Sequence, residues 1–116
     1  MRLYLAGPMT GRPEYNYPLF RQTAQEWRKC GWDVLDPSEK FGGRTDLPYE
    51  VYIKASIIDV LACDAIAVLP DWEDSKGAAL EVHIGRALRY PVYDAEYPAR
   101  SGEGGLRAAP ERLRAS

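Results

Sequence analysis

Asp64-Ala65-Ile66-Ala67-Val68-Leu69-Pro70 is the stretch that decides the fold. An acid, an unbroken apolar run and then a proline describe a central strand covered on both faces. A parallel strand between two helical layers has no polar side to show, and proline cannot donate to a ladder. Downstream, Pro70 to Asp74 form a loop and Ser75 is a helix N-cap. Ala78, Ala79, Leu80, Val82, Ile84, Ala87 and Leu88 then give the next helix a wide apolar face. Tyr90-Pro91-Val92-Tyr93 reads as a last short strand. Upstream, Pro48 opens a helix on which Tyr52, Ile53, Ser56, Ile57, Val60 and Leu61 recur at helical intervals up to Cys63.

Further toward the start, Ser38 to Leu47 is an irregular loop longer than a simple connection needs, and such loops often cover a site. Trp32 to Leu35 make a strand stopped by Asp36-Pro37. Pro18 opens a helix carrying Leu19, Phe20, Thr23, Ala24, Trp27 and Cys30 at helical spacing, and Gly31 ends it. Leu3 to Ala6 are the first strand, followed by a loop from Gly7 to Tyr17. Strand and helix alternate throughout, which predicts an α/β fold. Its short parallel sheet has helices on both sides, right-handed crossovers, and a site at the carboxyl ends of the strands. Residues 1–96 are the expected domain. From Ala99 onward the composition turns to Gly, Arg, Ala and Glu, so residues 97–116 read as a tail, mobile or packed on a neighbour through Leu106 and Leu113.

The chain has 116 residues, enough for one domain with a continuous core. A net charge of -2 offers no basic face to a nucleic acid polymer, although a single phosphate needs only a local pocket. No apolar run is long enough for a membrane span, and the first residues break at Gly7-Pro8 before a secretory signal could form, so a cytoplasmic protein is expected. Cys30 and Cys63 lack metal-type spacing and read as reduced thiols. With His83 as the single histidine, a zinc site or a histidine-based triad would have to be built almost without imidazole.

Three strand ends converge on groups that could do chemistry: Gly7 to Arg12, Asp36-Pro37, and Asp71 to Glu81. Ser75-Lys76-Gly77-Ala78-Ala79 begins a helix with small side chains, so its unpaired amides can approach an anion closely; equally, small residues let a helix pack tightly on a sheet. Gly77 lies one turn before Glu81 on the same helix face and leaves room above that carboxylate. Glu81 itself, between Leu80 and Val82, is either a solvated edge residue or a group aimed into a cleft. Trp72 could stack on a base or close a pocket rim, and Tyr15-Asn16-Tyr17 could line a site or staple a helix.

Taken together, Tyr4-Leu5-Ala6-Gly7-Pro8-Met9-Thr10-Gly11, the strand from Asp64 to Leu69, and Ser75-Lys76-Gly77-Ala78-Ala79-Leu80-Glu81 resemble the nucleoside 2-deoxyribosyltransferase-like superfamily over about residues 2 to 93. Within it the chain is similar to small bacterial and phage proteins with an AGPMTG start. The resemblance implies a flavodoxin/Rossmann-like three-layer sandwich and a homodimer in which each subunit helps complete the other's site. It also implies a glutamate, here Glu81, that attacks the anomeric carbon. An ionised carboxylate suits that task, because it stabilises an oxocarbenium-like transition state and traps it as a glycosyl ester without a metal or other cofactor.

Two positions depart from the superfamily pattern. Ser56 stands where relatives carry an aspartate, leaving Asp59, one turn on, as the candidate proton donor. Asp71 stands where relatives have glycine. Serine at position 75 resembles the hydrolases of 2'-deoxynucleoside 5'-phosphates, since a hydroxyl can donate to phosphate. Arg12 is the natural charge partner for that phosphate, or else an ordinary exposed loop cation.

The resulting expectation is hydrolysis of the base-sugar bond of a nucleoside 5'-monophosphate in the cytoplasm of a bacterial or phage-infected cell. Glu81 and Asp59 are the catalytic pair. Gly7, Pro8, Met9, Arg12, Ser56, Trp72, Ser75, Gly77 and Ala78 hold a small-molecule nucleoside or nucleotide. The alternatives are base transfer between deoxyribosides, and a module that binds or sequesters a nucleotide without turnover, which Ser56 favours.

Overall fold

The computed structural model describes residues 1–99, and the alternation of its first strand, β1 (Arg2–Ala6), lays out the architecture. Leu3 and Leu5 point to one side of a sheet, Tyr4 and Ala6 to the other. β1 pairs in parallel with β2 (Asp33–Leu35) on one edge and with β3 (Ala65–Val68) on the other, and β3 pairs with β4 (Val92–Asp94). The order among the described residues is β2-β1-β3-β4. This is the doubly wound parallel sheet that the alternation of strands and helices predicts.

Among the described residues three helices cover the sheet: α1 (Tyr17–Lys29), α2 (Tyr49–Leu61) and α3 (Lys76–Ala87). On one face Phe20, Ala24 and Trp27 of α1 pack against Leu3, Leu5, Ala65 and Ala67, and Trp32 and Tyr93 complete an aromatic cluster with Trp27. On the other, Val60 of α2 and Ala78 and Val82 of α3 meet Tyr4, Ala6, Ile66 and Val68. All four residues of β3 are buried, as its unbroken apolar run requires.

Helix ends explain where the strand boundaries fall. At the end of α1 the amides of Gly31 and Trp32 reach back to the carbonyls of Arg28 and Trp27, with Gly31 at φ 94, so Trp32 belongs to the cap and β2 starts at Asp33. The end of α3 repeats the motif with Arg89 at φ 63. Arg89 N–H donates to the Arg86 carbonyl and Tyr90 N–H to that of Gly85, so the last strand begins at Val92 rather than Tyr90. The loops contain short 3-10 turns at Pro13–Asn16, Pro37–Gly43 and Trp72–Asp74. Close approach constrains Gly7, just beyond β1, where an added Cβ would lie 2.8 Å from Leu69.

The first residues past the expected domain boundary are still tied to it. Tyr97 N–H donates to the Asp94 carbonyl and Trp32 Nε1 donates to the Ala99 carbonyl at 2.8 Å. The expectations for the rest of the tail, including Leu106 and Leu113, lie outside the described residues. Among those residues no helix is long and apolar enough to cross a membrane.

Candidate active site

β1 and β3 are neighbours, but the chain leaves them in opposite directions, toward β2 from one and toward β4 from the other. Their carboxyl ends therefore open a crevice, the usual ligand position in this architecture. Here the crevice is a cavity of about 580 Å³. Gly7, Pro8, Met9 and Arg12 supply one wall, Tyr49, Tyr52, Ile53 and Ser56 of α2 a second, and Ser75, Gly77, Ala78 and Glu81 at the start of α3 a third.

The α3 wall follows from its cap. Ser75 has extended backbone, and its Oγ accepts from Ala78 N–H at 3.2 Å while its carbonyl accepts from Ala79 N–H at 2.9 Å. That satisfies two of the amides at the helix start and leaves those of Lys76 and Gly77 without a helical partner at the cavity. The Ser75 hydroxyl proton stays available to donate. A Cβ on Gly77 would make only ordinary contacts, 3.6 Å from Ile53 and 3.8 Å from the Tyr49 hydroxyl, so this glycine widens the cavity rather than relieving a clash.

Glu81 is 6% exposed and aims into the cavity, not to bulk water. Its Oε2 accepts a hydrogen bond from the Tyr4 hydroxyl at 2.8 Å. Burial pushes its pKa up from the usual carboxyl value to about 7, with the charge of Asp59 adding to the rise and hydrogen bonds from Tyr4 and Ser56 restraining it. Tyr4, wholly buried beside this carboxyl, is driven well above the normal phenol range, chiefly by burial, and so remains a donor. The result is a buried carboxyl with its pKa raised to about 7, held by a hydrogen bond from strand β1 to helix α3.

Of the site residues read from sequence, Gly7, Pro8, Met9, Arg12, Ser56, Ser75, Gly77, Ala78 and Glu81 line this single cavity. Trp72 does not: it is buried with Tyr4, Ala6, Val68 and Val82, with the Arg86 guanidinium 5.8 Å from its ring centroid. The 3-10 turn at Trp72–Asp74 tucks its first side chain under α3, which corrects the expectation of a base-stacking or rim residue. Asp59 is also displaced. It borders a separate void of about 30 Å³ that touches Ser56, and its Oδ1 is held at 3.1 Å by Nζ of Lys40 from the 3-10 segment Pro37–Gly43. It acts on Glu81 through charge and is not in the main cavity. Arg12 reaches the cavity with its Nη1 donating to Asp71 Oδ2 at 3.3 Å.

The groups missed in the sequence are tyrosines. Tyr4 sits in an otherwise apolar strand, and a buried phenol must find a partner, which was the signal. Tyr49 and Tyr52 lie three apart on α2, the spacing that puts both on one face. Tyr52 also fastens the far wall: its hydroxyl donates to the Arg44 carbonyl at 2.8 Å and accepts from Leu47 N–H at 3.1 Å. Tyr17 donates to the same carbonyl at 3.3 Å, so Thr45 and Leu47 are strapped against the cavity they line. The long loop does cover the site, as its length suggested.

A family model described as a domain of unknown function (DUF4406) matches residues 1–94. No curated protein matches the sequence. Among solved structures the chain is similar to a 2-deoxyribosyltransferase from the psychrotolerant bacterium Bacillus psychrosaccharolyticus, with 22% identity, a TM-score of 0.63, and coverage of 80% of this chain and 70% of that one. It is also similar to a 2-desoxiribosyltransferase from Leishmania mexicana, with 19% identity, a TM-score of 0.59, and coverage of 95% and 79% respectively. At these identities the likeness is one of fold, and it agrees with the α/β architecture described above.

Proposed function

The chain belongs to the DUF4406 family, and from its cavity we propose an enzyme that breaks the N-glycosidic bond of a nucleoside or nucleotide, with Glu81 as nucleophile. The observation that carries this reading is the buried Glu81 carboxyl at the cavity wall, held by the Tyr4 hydroxyl at 2.8 Å, with burial raising its pKa. Tyr4 donates to Oε2 and Ser56 also donates to the carboxylate, and together they hold it at the cavity wall where the sugar would lie. As the bond between C1 and the base nitrogen breaks, its electron pair leaves with the base, and a proton from water in the cavity neutralises it. A carboxylate oxygen of Glu81 then bonds to C1 as a glycosyl ester. Water attacks C1 in the second step and gives its proton to the hydroxide left by the first, the ester bond breaks with its electron pair passing to the carboxylate, and Glu81 regains its charge. Asp59, paired to Lys40, contributes charge rather than a proton. The reaction as written uses no cofactor.

The walls suit such a ligand. Tyr49 and Tyr52 offer aromatic surface for a base, and the Ser75 hydroxyl, the amides of Lys76 and Gly77 and the Arg12 guanidinium offer donors to a 5'-phosphate. Hydrolysis of a deoxynucleoside 5'-monophosphate is therefore the first specific reading. Transfer of the sugar to a second base is the next, favoured by the fold shared with two deoxyribosyltransferases. The same proposal takes the protein as a cytoplasmic homodimer, and Val51, Ile58 and Leu61 of α2 with Leu80 and Leu88 on and beside α3 leave exposed apolar surface for a second copy.

A panel of ribo- and deoxyribonucleosides and their 5'-monophosphates, incubated with the protein and chromatographed for free base, tests the proposal. Base released without an acceptor means hydrolysis, and base released only when a second base is added means transfer. Tight binding with no release under either condition overturns the enzymatic reading.

A further inference from the structure

We infer that Asp71 is a specificity-determining residue that competes with the ligand for Arg12 and so lowers the affinity of the cavity for phosphate relative to a neutral sugar hydroxyl. The inference deepens the proposed function and rests on it for the identity of the ligand, but its electrostatic part stands on the ion pair alone.

Four observations carry it. Arg12 lines the cavity, yet its Nη1 donates to Asp71 Oδ2, 59 residues away in sequence, so two separate loops bring the pair together beside the site. Asp71 holds φ 65, a left-handed conformation that glycine adopts freely and that aspartate adopts at some cost. Its carboxylate makes no cap to the 3-10 turn it precedes and instead pairs with Arg12. Asp74 and Glu81 already line the cavity, and on the positive side only Arg12 and Lys76 do among the described residues. Holding Arg12 with a further acid therefore removes a large share of the positive potential that an anion would meet.

The pair is a single bond of 3.3 Å between side chains that are 36% and 60% exposed, so it can be broken, and a phosphate must break it while tolerating the carboxylate that remains. A neutral 5'-hydroxyl has no such requirement. Exposed pairs of this kind contribute little each, which sets the expected discrimination at about three- to tenfold rather than orders of magnitude.

The test uses Asp71→Asn, which removes the charge and keeps a residue at ease in the left-handed region, with Asp71→Gly as a second variant and Arg12→Gln as the partner change. Inorganic phosphate is titrated and followed through the amide signals of Lys76 and Gly77. A deoxynucleoside and its 5'-monophosphate are titrated in parallel. Both Asp71 variants are expected to bind phosphate and the monophosphate about three- to tenfold more tightly, with the nucleoside unchanged within about twofold. The gain disappears when Arg12→Gln is added. Equal phosphate affinity in the parent and both Asp71 variants, no phosphate binding by any of them, or a gain that survives Arg12→Gln would overturn the inference. Tighter phosphate binding together with no binding of any nucleoside would leave Asp71 as an anion determinant and remove the base-cleaving reading instead.

Discussion

The two faces of the sheet are built from the same strand and do opposite things. Leu3 and Leu5 of β1 enter a face packed by Phe20, Trp27, Trp32 and Tyr93, with Leu5 also bordering the cavity at the strand's carboxyl end, and polar atoms on that face such as the Trp27 indole N–H are satisfied by backbone, at 2.9 Å from the Ala95 carbonyl. Tyr4, one residue between them, enters the face where α2 and α3 leave a cavity, and its hydroxyl meets a carboxyl. The difference teaches that a period of two along one strand is enough to send neighbouring side chains into unlike surroundings, an apolar layer on one face and a buried carboxyl on the other.

That contrast can be broken most sharply at Glu81. Glu81→Gln keeps the shape and the hydrogen bond from Tyr4 but removes the proposed nucleophile, and base release is expected to fall by at least about a thousandfold. Circular dichroism of the same sample should be unchanged. Trp27→Ala acts on the other face. It should lower unfolding stability by about 3–5 kcal/mol in denaturant titration, while the pH midpoint of base release, measured where the variant remains folded, stays where it was.

How much of this was legible beforehand depended on whether a signal was local. The apolar run Ala65 to Leu69, the cap at Ser75 and the alternation of elements are local, and each reappears in the fold. Glu81 was readable as a residue of either edge or cleft, and only packing decides between the two. The hydrogen bond from Tyr4 spans 77 residues, and the Arg12–Asp71 pair joins loops after different strands, so neither has a sequence signature. Trp72 was misplaced because a loop tryptophan beside acids looks exposed, whereas the turn at Trp72–Asp74 buries it. Asp59 lies outside the main cavity against Lys40, and nothing near it in sequence announces that pairing.

A smaller effect sharpens the comparison through stability. Glu81 sheds its proton near its ordinary value when the chain is unfolded and at about 7 when folded. Between those values the folded state binds more protons than the unfolded, so wild-type stability falls as pH rises through that window and stays reduced above it. Glu81→Gln lacks the loss. Its melting temperature should match the wild type near pH 4.5 and exceed it at pH 8, by an amount corresponding to a stability difference on the order of 3 kcal/mol. Equal melting temperatures at both pH values would show that the carboxyl is not buried as described.

The smallest expected change comes from Tyr4→Phe. Loss of the phenol donor removes a contact that favours the ionised carboxylate, so the acid-side midpoint of base release should move up by about one pH unit. Activity at neutral pH then falls while activity at pH 9 recovers most of the difference. A uniform drop at every pH would mean that Tyr4 matters for shape alone.

The most direct test mixes the protein with a deoxynucleoside 5'-monophosphate, quenches in acid within milliseconds to seconds, and maps the digested peptides by mass spectrometry. A mass increase equal to the sugar phosphate on the peptide carrying Glu81, absent from Glu81→Gln, is the predicted result. Base release at the wild-type rate from Glu81→Gln, with no adduct on that peptide in either protein, would contradict it.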